Sequence, residues 1–98
     1  MITRIVKMTF AEESVGDFLA NFQKNKEQIR NFPGCHKLIL LRDHQNPNVF
    51  FTYSWWSQAT DLENYRQSEL FQGVWSFTKS LFSAKPEAWS TKALEVLE

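Results

Sequence analysis

The chain reads as an α+β fold with element order β-α-β-β-α-β and a four-stranded antiparallel sheet. Three observations predict it. Residues 2–10, ITRIVKMTF, alternate with a period of two, as a strand with one strongly apolar face does. Two further β-rich runs, CHKLILLRD and VFFTYSWW, are joined by HQNPN, whose asparagines and proline are turn formers, so they make a hairpin. The stretches around them carry apolar residues at helical spacing.

In the first strand Ile2, Val6, Met8 and Phe10 share one face with Arg4, while Thr3, Ile5, Lys7 and Thr9 take the other. Ser14 and Asp17 then have capping-box spacing, with Asp in place of the usual Glu. Val15, Phe18, Leu19, Phe22 and Ile29 form a stripe interrupted by Lys26, which predicts a surface helix ending near NFPG. After the hairpin, Thr60 and Glu63 make a T-x-x-E capping box that opens a short helix bearing Leu62 and Tyr65. SELFQGVWSFTKSLF sets Phe71, Val74, Trp75, Thr78, Leu81 and Phe82 at helical spacing, and SAKPE breaks it. AWSTKALEVL reads as the last strand. This order is the split βαβ, or ferredoxin-like, plan, with the helices on one face of the sheet.

Composition narrows the function. A length of 98 residues predicts a single domain over 1–98. Four Trp and nine Phe are many for so small a unit, so part of the apolar surface is expected to be buried against a partner subunit or around a ligand. Eleven basic and eleven acidic residues give a net charge of zero, which is not the footprint of a nucleic-acid binder. The one cysteine, Cys35, excludes an intrachain disulfide and reads as a small buried hydrophobe. His36 and His44 lack metal-ligand spacing, so no metal site is assigned, and no glycine-rich loop points to a nucleotide. No apolar run approaches the roughly 20 residues of a membrane helix, and the first ten residues do not form a signal peptide. A cytoplasmic location is expected.

Strand alternation divides the adjacent aromatics. Trp56 falls with Phe50, Thr52 and Ser54 on the face beneath the helices. Trp55 falls with Phe51 and Tyr53 on the uncovered face. A bare apolar sheet face predicts a symmetric homodimer through those three residues.

The run NFPGCHKLILLRDHQNPNVFFTYSWWSQATDLENYRQSELF resembles the core signature of the antibiotic biosynthesis monooxygenase domain family, part of the dimeric α+β barrel superfamily. The matching elements are PGC opening a strand, LLRD and NPN around the hairpin, an aromatic strand ending in Trp, and a short helix leading to S-x-x-F. The resemblance implies a cofactor-independent monooxygenase acting on a quinol or other aromatic small molecule; the alternative is a non-catalytic dimeric binding protein for an apolar metabolite. Trp56 matches the family tryptophan. Thr52 stands where phenol-oxygenating members carry asparagine, and Leu62, with Tyr65 one turn on, where they carry tyrosine. Haem-degrading members use a first-strand asparagine, a helix tryptophan and a histidine; this chain has none in 2–10, Tyr65 and Trp75. Leu70 replaces a further family histidine. Without an axial imidazole, haem degradation is disfavoured.

The candidate binding residues are Trp56, Phe71 and Trp75, which with Phe50 read as aromatic walls, Thr52 and Tyr65 for their hydroxyls, and Arg4 and His36 for charge or proton exchange. No residue is assigned a catalytic role and no cofactor is expected. Each candidate has a structural reading beside the functional one. Trp56 and Trp75 suit plain core aromatics, Thr52 an ordinary strand position, and Tyr65 a helix edge with its hydroxyl in solvent. Arg4 suits a carboxylate across the dimer, and His36 a structural histidine.

Overall fold

A computed structural model describes residues 1–98. Its strands are β1 (Ile2–Thr9), β2 (Cys35–Arg42), β3 (Val49–Trp56) and β4 (Glu87–Thr91), and its helices α1 (Val15–Arg30), α2 (Ala59–Arg66) and α3 (Glu69–Lys79). The sheet is antiparallel throughout, in the order β2-β3-β1-β4, the ferredoxin-like arrangement.

Residues directly opposite across an antiparallel ladder share a face, so the register defines rows. On the helix-covered face one end is closed by Ile2, Trp56 and Cys35, and the other by Met8 and Phe50 with Arg42 stacked over the Phe50 ring. The two rows between carry Arg4, Ser54, Leu38 and Ser90, then Val6, Thr52, Leu40 and Ala88. The rings of Trp56 and Phe50 stand at the two ends, and Ser54, Ser90, Thr52 and Ala88 between them leave the centre of the face lower.

The core divides the same way. Met8, Phe10, Phe50, Val15 and Phe18 form one buried cluster, in which Phe10 and Phe18 stack at 4.3 Å. Cys35, Trp56 and Leu62 form a second, flanked by Ile2, Phe32 and Tyr65. Fully burying a ring of this size stabilises by roughly 1.5–3 kcal/mol, so these clusters carry most of the sheet–helix attachment.

Several local signals resolve differently from expectation. A 3-10 turn at Glu12–Ser14 precedes α1, and Ser14, already helical at φ −98° and ψ −9°, makes no capping bond to the helix. Thr60 lies inside α2, whose N-cap is Gln58; its hydroxyl donates to the Gln58 side chain, and Glu63 pairs with Arg66 instead of closing a capping box. Ser68 is the working cap. Its Oγ accepts from Phe71 N–H at 3.1 Å and donates to the Tyr65 carbonyl at 2.6 Å, joining α2 to α3. The S-x-x-F motif is therefore a helix junction. α3 stops at Lys79, and Phe82 beyond it makes an isolated antiparallel bridge to Phe10, just past the end of β1. The last strand covers only Glu87–Thr91, all exposed; Leu94 and Leu97 beyond it have nothing to pack against within the chain.

The hairpin turn uses Asx chemistry, with Asp43 accepting from the amides of Gln45 and Asn46, and Asn46 from that of Asn48. These bonds to its charged form hold the exposed Asp43 carboxyl below its ordinary pKa.

The PGC entry into β2 is set by Gly34, at φ +90°. Its carbonyl accepts from Ser57 N–H at 2.9 Å, and Arg30 reaches over from α1 to the Cys35 carbonyl at 2.9 Å. A Cβ at Gly34 would collide with the Cβ and carboxyl of Asp61 on α2. Gly34→Ala combines this collision with a left-handed backbone, so it is expected to destabilise by about 2 kcal/mol or more in denaturant titration. An unchanged midpoint would contradict this account of the β2 entry.

Candidate functional site

The low centre of the sheet and the helices above it enclose a cavity of about 320 Å³. Its floor is Arg4, Val6, Leu38, Thr52 and Ser54, with Met8 and Trp56 as end walls. The roof comes from all three helices: Phe18, Phe22 and Ile29 of α1, Leu62, Tyr65 and Arg66 of α2, and Phe71, Val74, Trp75 and Thr78 of α3. Pro86, Glu87 and Ala88 complete the lining. Of these residues only Arg66, Glu87 and Ala88 are exposed, which marks the mouth between the end of α2 and the start of β4.

A run of ring contacts forms the wall. Trp56 stacks on Tyr65 at 5.0 Å, and Tyr65 meets Phe71 edge-on at 5.2 Å. Phe71 stacks on Trp75 at 5.8 Å and 12°, and Trp75 meets Phe82 edge-on at 5.5 Å. Through Phe82 and Phe10 the wall joins the first core cluster. Offset and edge-on pairs each add about 0.5–1.5 kcal/mol beyond area burial, so the wall is stiff as well as apolar. Trp56 is fully buried, and its indole N–H donates to Ser54 Oγ at 3.0 Å. That bond consumes the one polar atom of Trp56, leaving its ring as a purely apolar wall.

The remaining polar groups are mostly unpaired donors. The Tyr65 and Thr52 hydroxyls and the Trp75 indole N–H make no hydrogen bond within the chain. Thr78, by contrast, is satisfied by the Val74 carbonyl at 2.7 Å. Arg4 donates once, from Nη1 to Ser90 Oγ at 3.0 Å, and no carboxylate lies within ion-pair distance of it. Burial, then the neighbouring positive charge of Arg66, lower the Arg4 pKa, with Glu63 opposing. Burial pushes the Tyr65 hydroxyl well above an ordinary tyrosine, and a Cys35 thiolate adds to the shift. Burial likewise raises the Cys35 thiol. At neutral pH, Tyr65 is a proton-bearing donor and Arg4 a cation.

Six of the seven candidates from sequence therefore converge on one cavity: Arg4, Thr52, Trp56, Tyr65, Phe71 and Trp75. His36 does not. A bulge between Cys35 and Lys37 sets both against consecutive residues of β3, so His36 is the extra residue. The bulge turns Cys35 into the core and leaves His36 exposed, bonded to Ser57 Oγ. Simple alternation along the strand would put His36 on the face of Leu38 and Leu40, and one inserted residue reverses that. Arg66, Ser90 and Glu87 were missed. Arg66 follows Leu62 by four residues and so shares its helix face, a usable signal. Ser90 and Glu87 depend on the register of β4 against β1, which no local pattern specifies.

The sequence family described as antibiotic biosynthesis monooxygenase matches residues 1–74. Similar solved structures include an antibiotic biosynthesis monooxygenase, 18% identical with a TM-score of 0.90, covering 97% of this chain and 100% of its own. A conserved protein from Methanosarcina mazei Go1 is 17% identical with a TM-score of 0.88, over 94% of this chain and 92% of that one. SnoaB, a cofactor-independent oxygenase from Streptomyces nogalater solved as a point mutant, is 17% identical with a TM-score of 0.86, over 98% and 95%. These identities establish a shared fold. No curated protein matches the sequence.

The neutral Tyr65 has a measurable consequence. In absorbance titration of the native protein, one of the two tyrosines should fail to ionise through the range of an ordinary phenol, about pH 10. Because the folded pKa is raised, this group's contribution to stability is fully present below about pH 10. It is lost as pH rises, since the unfolded chain then releases a proton that the native state retains. Two ordinary tyrosine titrations would contradict the burial of this hydroxyl.

Proposed function

Because the chain belongs to the antibiotic biosynthesis monooxygenase family, we propose that the cavity is the site of a cofactor-independent monooxygenase acting on a quinol or other aromatic small molecule. The observation that carries the reading is an aromatic cavity whose unpaired polar groups are donors. An electron-rich phenol or anthrone loses a proton to give an oxyanion, which passes one electron to dioxygen. Recombination forms a carbon–oxygen bond, and the resulting peroxide breaks to a carbonyl and water. One oxygen atom enters the ring carbon, and the other leaves as water with two hydrogens of the substrate: both from the methylene carbon of an anthrone, or one from the ring carbon and one from the hydroxyl of a phenol. The substrate supplies all four electrons, so no external reductant is needed.

The protein's part is to hold the ring and favour the anion. Tyr65, Phe71 and Trp75 pack against the substrate with Trp56 behind Tyr65, and the hydroxyls of Tyr65 and Thr52 donate to the developing oxyanion. The positive charges of Arg4 and Arg66 lower the substrate's pKa. Glu87 at the mouth is the one carboxylate in the lining able to take the proton. A second reading, a binding protein for an apolar metabolite, draws on that same observation, since an exposed carboxylate is a weak base.

An oxygen electrode with hydroquinones and anthrone decides between them. Oxygen uptake above autoxidation, with one atom of ¹⁸O entering the product, is expected for the enzyme, and Tyr65→Phe or Thr52→Val should reduce kcat by up to about 10²-fold. Ligand binding without turnover by any of them would leave the binding protein.

We further propose that the uncovered sheet face pairs with a second copy. Its centre is a row of Ile39, Tyr53, Ile5 and Trp89, flanked by Leu41 and Phe51 and by Trp55. Trp89 and Leu41 are 45% and 46% exposed, a high value for apolar residues in a sheet. Lys37 lies 4.5 Å over the Trp55 ring, whose N–H is buried without an acceptor and would gain one from a partner. Sedimentation should show a dimer that Tyr53→Asp converts to monomer. A monomeric native protein at tens of micromolar would refute this pairing.

A further inference from the structure

Arg4 is the unresolved feature of the cavity. A guanidinium on the floor of a mostly apolar chamber is costly unless it is paired, and its one partner in the chain is a neutral serine hydroxyl. The chain's one salt bridge engages Arg66 with Glu63 at 3.2 Å, on the exposed surface of α2. Arg66 also lines the cavity and adds a second positive charge there. The lining has one carboxylate, Glu87, which is exposed at the mouth and outside ion-pair distance of Arg4. Arg4 is therefore the one cation of the lining without a carboxylate partner.

The shape of the donor set adds detail. With only Nη1 engaged by Ser90, Arg4 keeps N–H groups free in a planar fork, the geometry that binds a carboxylate through two parallel hydrogen bonds. Thr52 lies on the next cross-strand row, opposite Val6, and its hydroxyl is also free. The Trp56–Tyr65 and Phe71–Trp75 stacks stand over this floor. About 320 Å³ lies at the small end of the range for small-molecule sites, room for about two or three fused rings.

We propose that the cavity takes an aromatic monocarboxylate, with its carboxylate on the free edge of Arg4 and its rings against the wall formed by Tyr65, Phe71 and Trp75. This rests on the reading of the cavity as the substrate site and narrows it to a class: a phenolic or quinol ring system bearing an acid group. Arg4 anchors that acid group, which leaves the Tyr65 hydroxyl for the oxygen of the reacting ring. Arg66 attracts the anion at the mouth.

The test compares three probes of nearly equal shape by quenching of tryptophan fluorescence: 2-naphthoate, 2-naphthamide and 2-naphthol at neutral pH. The native protein should bind the acid ~10-fold or more tightly than the amide, since only the acid offers two anionic acceptors to the fork. Arg4→Gln should abolish that preference while leaving amide affinity within about 2-fold, and Arg4→Lys should keep part of it. Arg66→Gln should weaken acid binding less, and only at low salt. Equal binding of acid and amide, no binding of either, or a preference that survives Arg4→Gln would overturn the proposal. A preference for neutral naphthol over naphthoate would assign the site to phenols without an acid group, also against it. The native-protein comparison needs no variant, so a misfolded Arg4→Gln would not obscure the result. Oxygen uptake on neutral hydroquinones with no acid preference would sink the carboxylate and spare the oxygenase. Acid preference without oxygen uptake would do the reverse.

Discussion

The burial of Trp56 is the constraint on which the rest of the site depends. Its ring has no solvent exposure, its N–H is spent on Ser54, and Phe32, Tyr65 and Cys35 pack around it. Because Ser54 sits two residues earlier on the same face, the bond also fixes the ring's tilt over the strand. Tyr65 stacks on that ring, so the position of α2 follows from it. Ser68 then ties the end of α2 to the start of α3 and carries Phe71 and Trp75 into place. The cavity wall is a chain of dependencies that begins at one indole.

Volume at the other end is set by the same logic. Phe50, Met8, Phe10 and Phe18 lift α1 off the sheet as Trp56 and Leu62 lift α2. Between these two posts, Thr52, Ser54, Ala88 and Ser90 are too small to reach the helices. A protein interior normally closes such gaps because unfilled contacts forfeit dispersion energy. Here stiff aromatic posts hold the layers apart, and the polar floor would be poorly matched by an apolar filling. The same arrangement explains how a domain with so few residues keeps a chamber open, and why its donors remain unpaired inside it.

The two faces of β3 divide the labour of the molecule. Phe50, Thr52, Ser54 and Trp56 face the cavity, while Phe51, Tyr53 and Trp55 face outward. A change on one face leaves the other's side chains untouched, but a slip of one residue in register would exchange them wholesale. The bulge at His36 shows how sensitive this is: one extra residue in β2 sends Cys35 inward and His36 out.

The residues alone determined the strand alternation of β1 and β3, the helical stripe of α1, the turn between Arg42 and Val49, and the element order. All are local periodicities that backbone geometry reads directly, and they were enough to set Thr52 and Trp56 on the strand face beneath the helices, Arg4 on the apolar face of the first strand, and Phe71 and Trp75 on one helical stripe. The capping boxes misled, because Ser14 is already helical and makes no capping bond, while Thr60 lies inside α2 and bonds the Gln58 side chain. The bulge, the short β4 and the convergence of Arg4 with Arg66 were decided only in three dimensions. Each depends on register between segments distant in sequence, where the energy comes from the match of whole rows. The free cation follows from that match, since no pattern in the chain records the absence of a carboxylate across the fold.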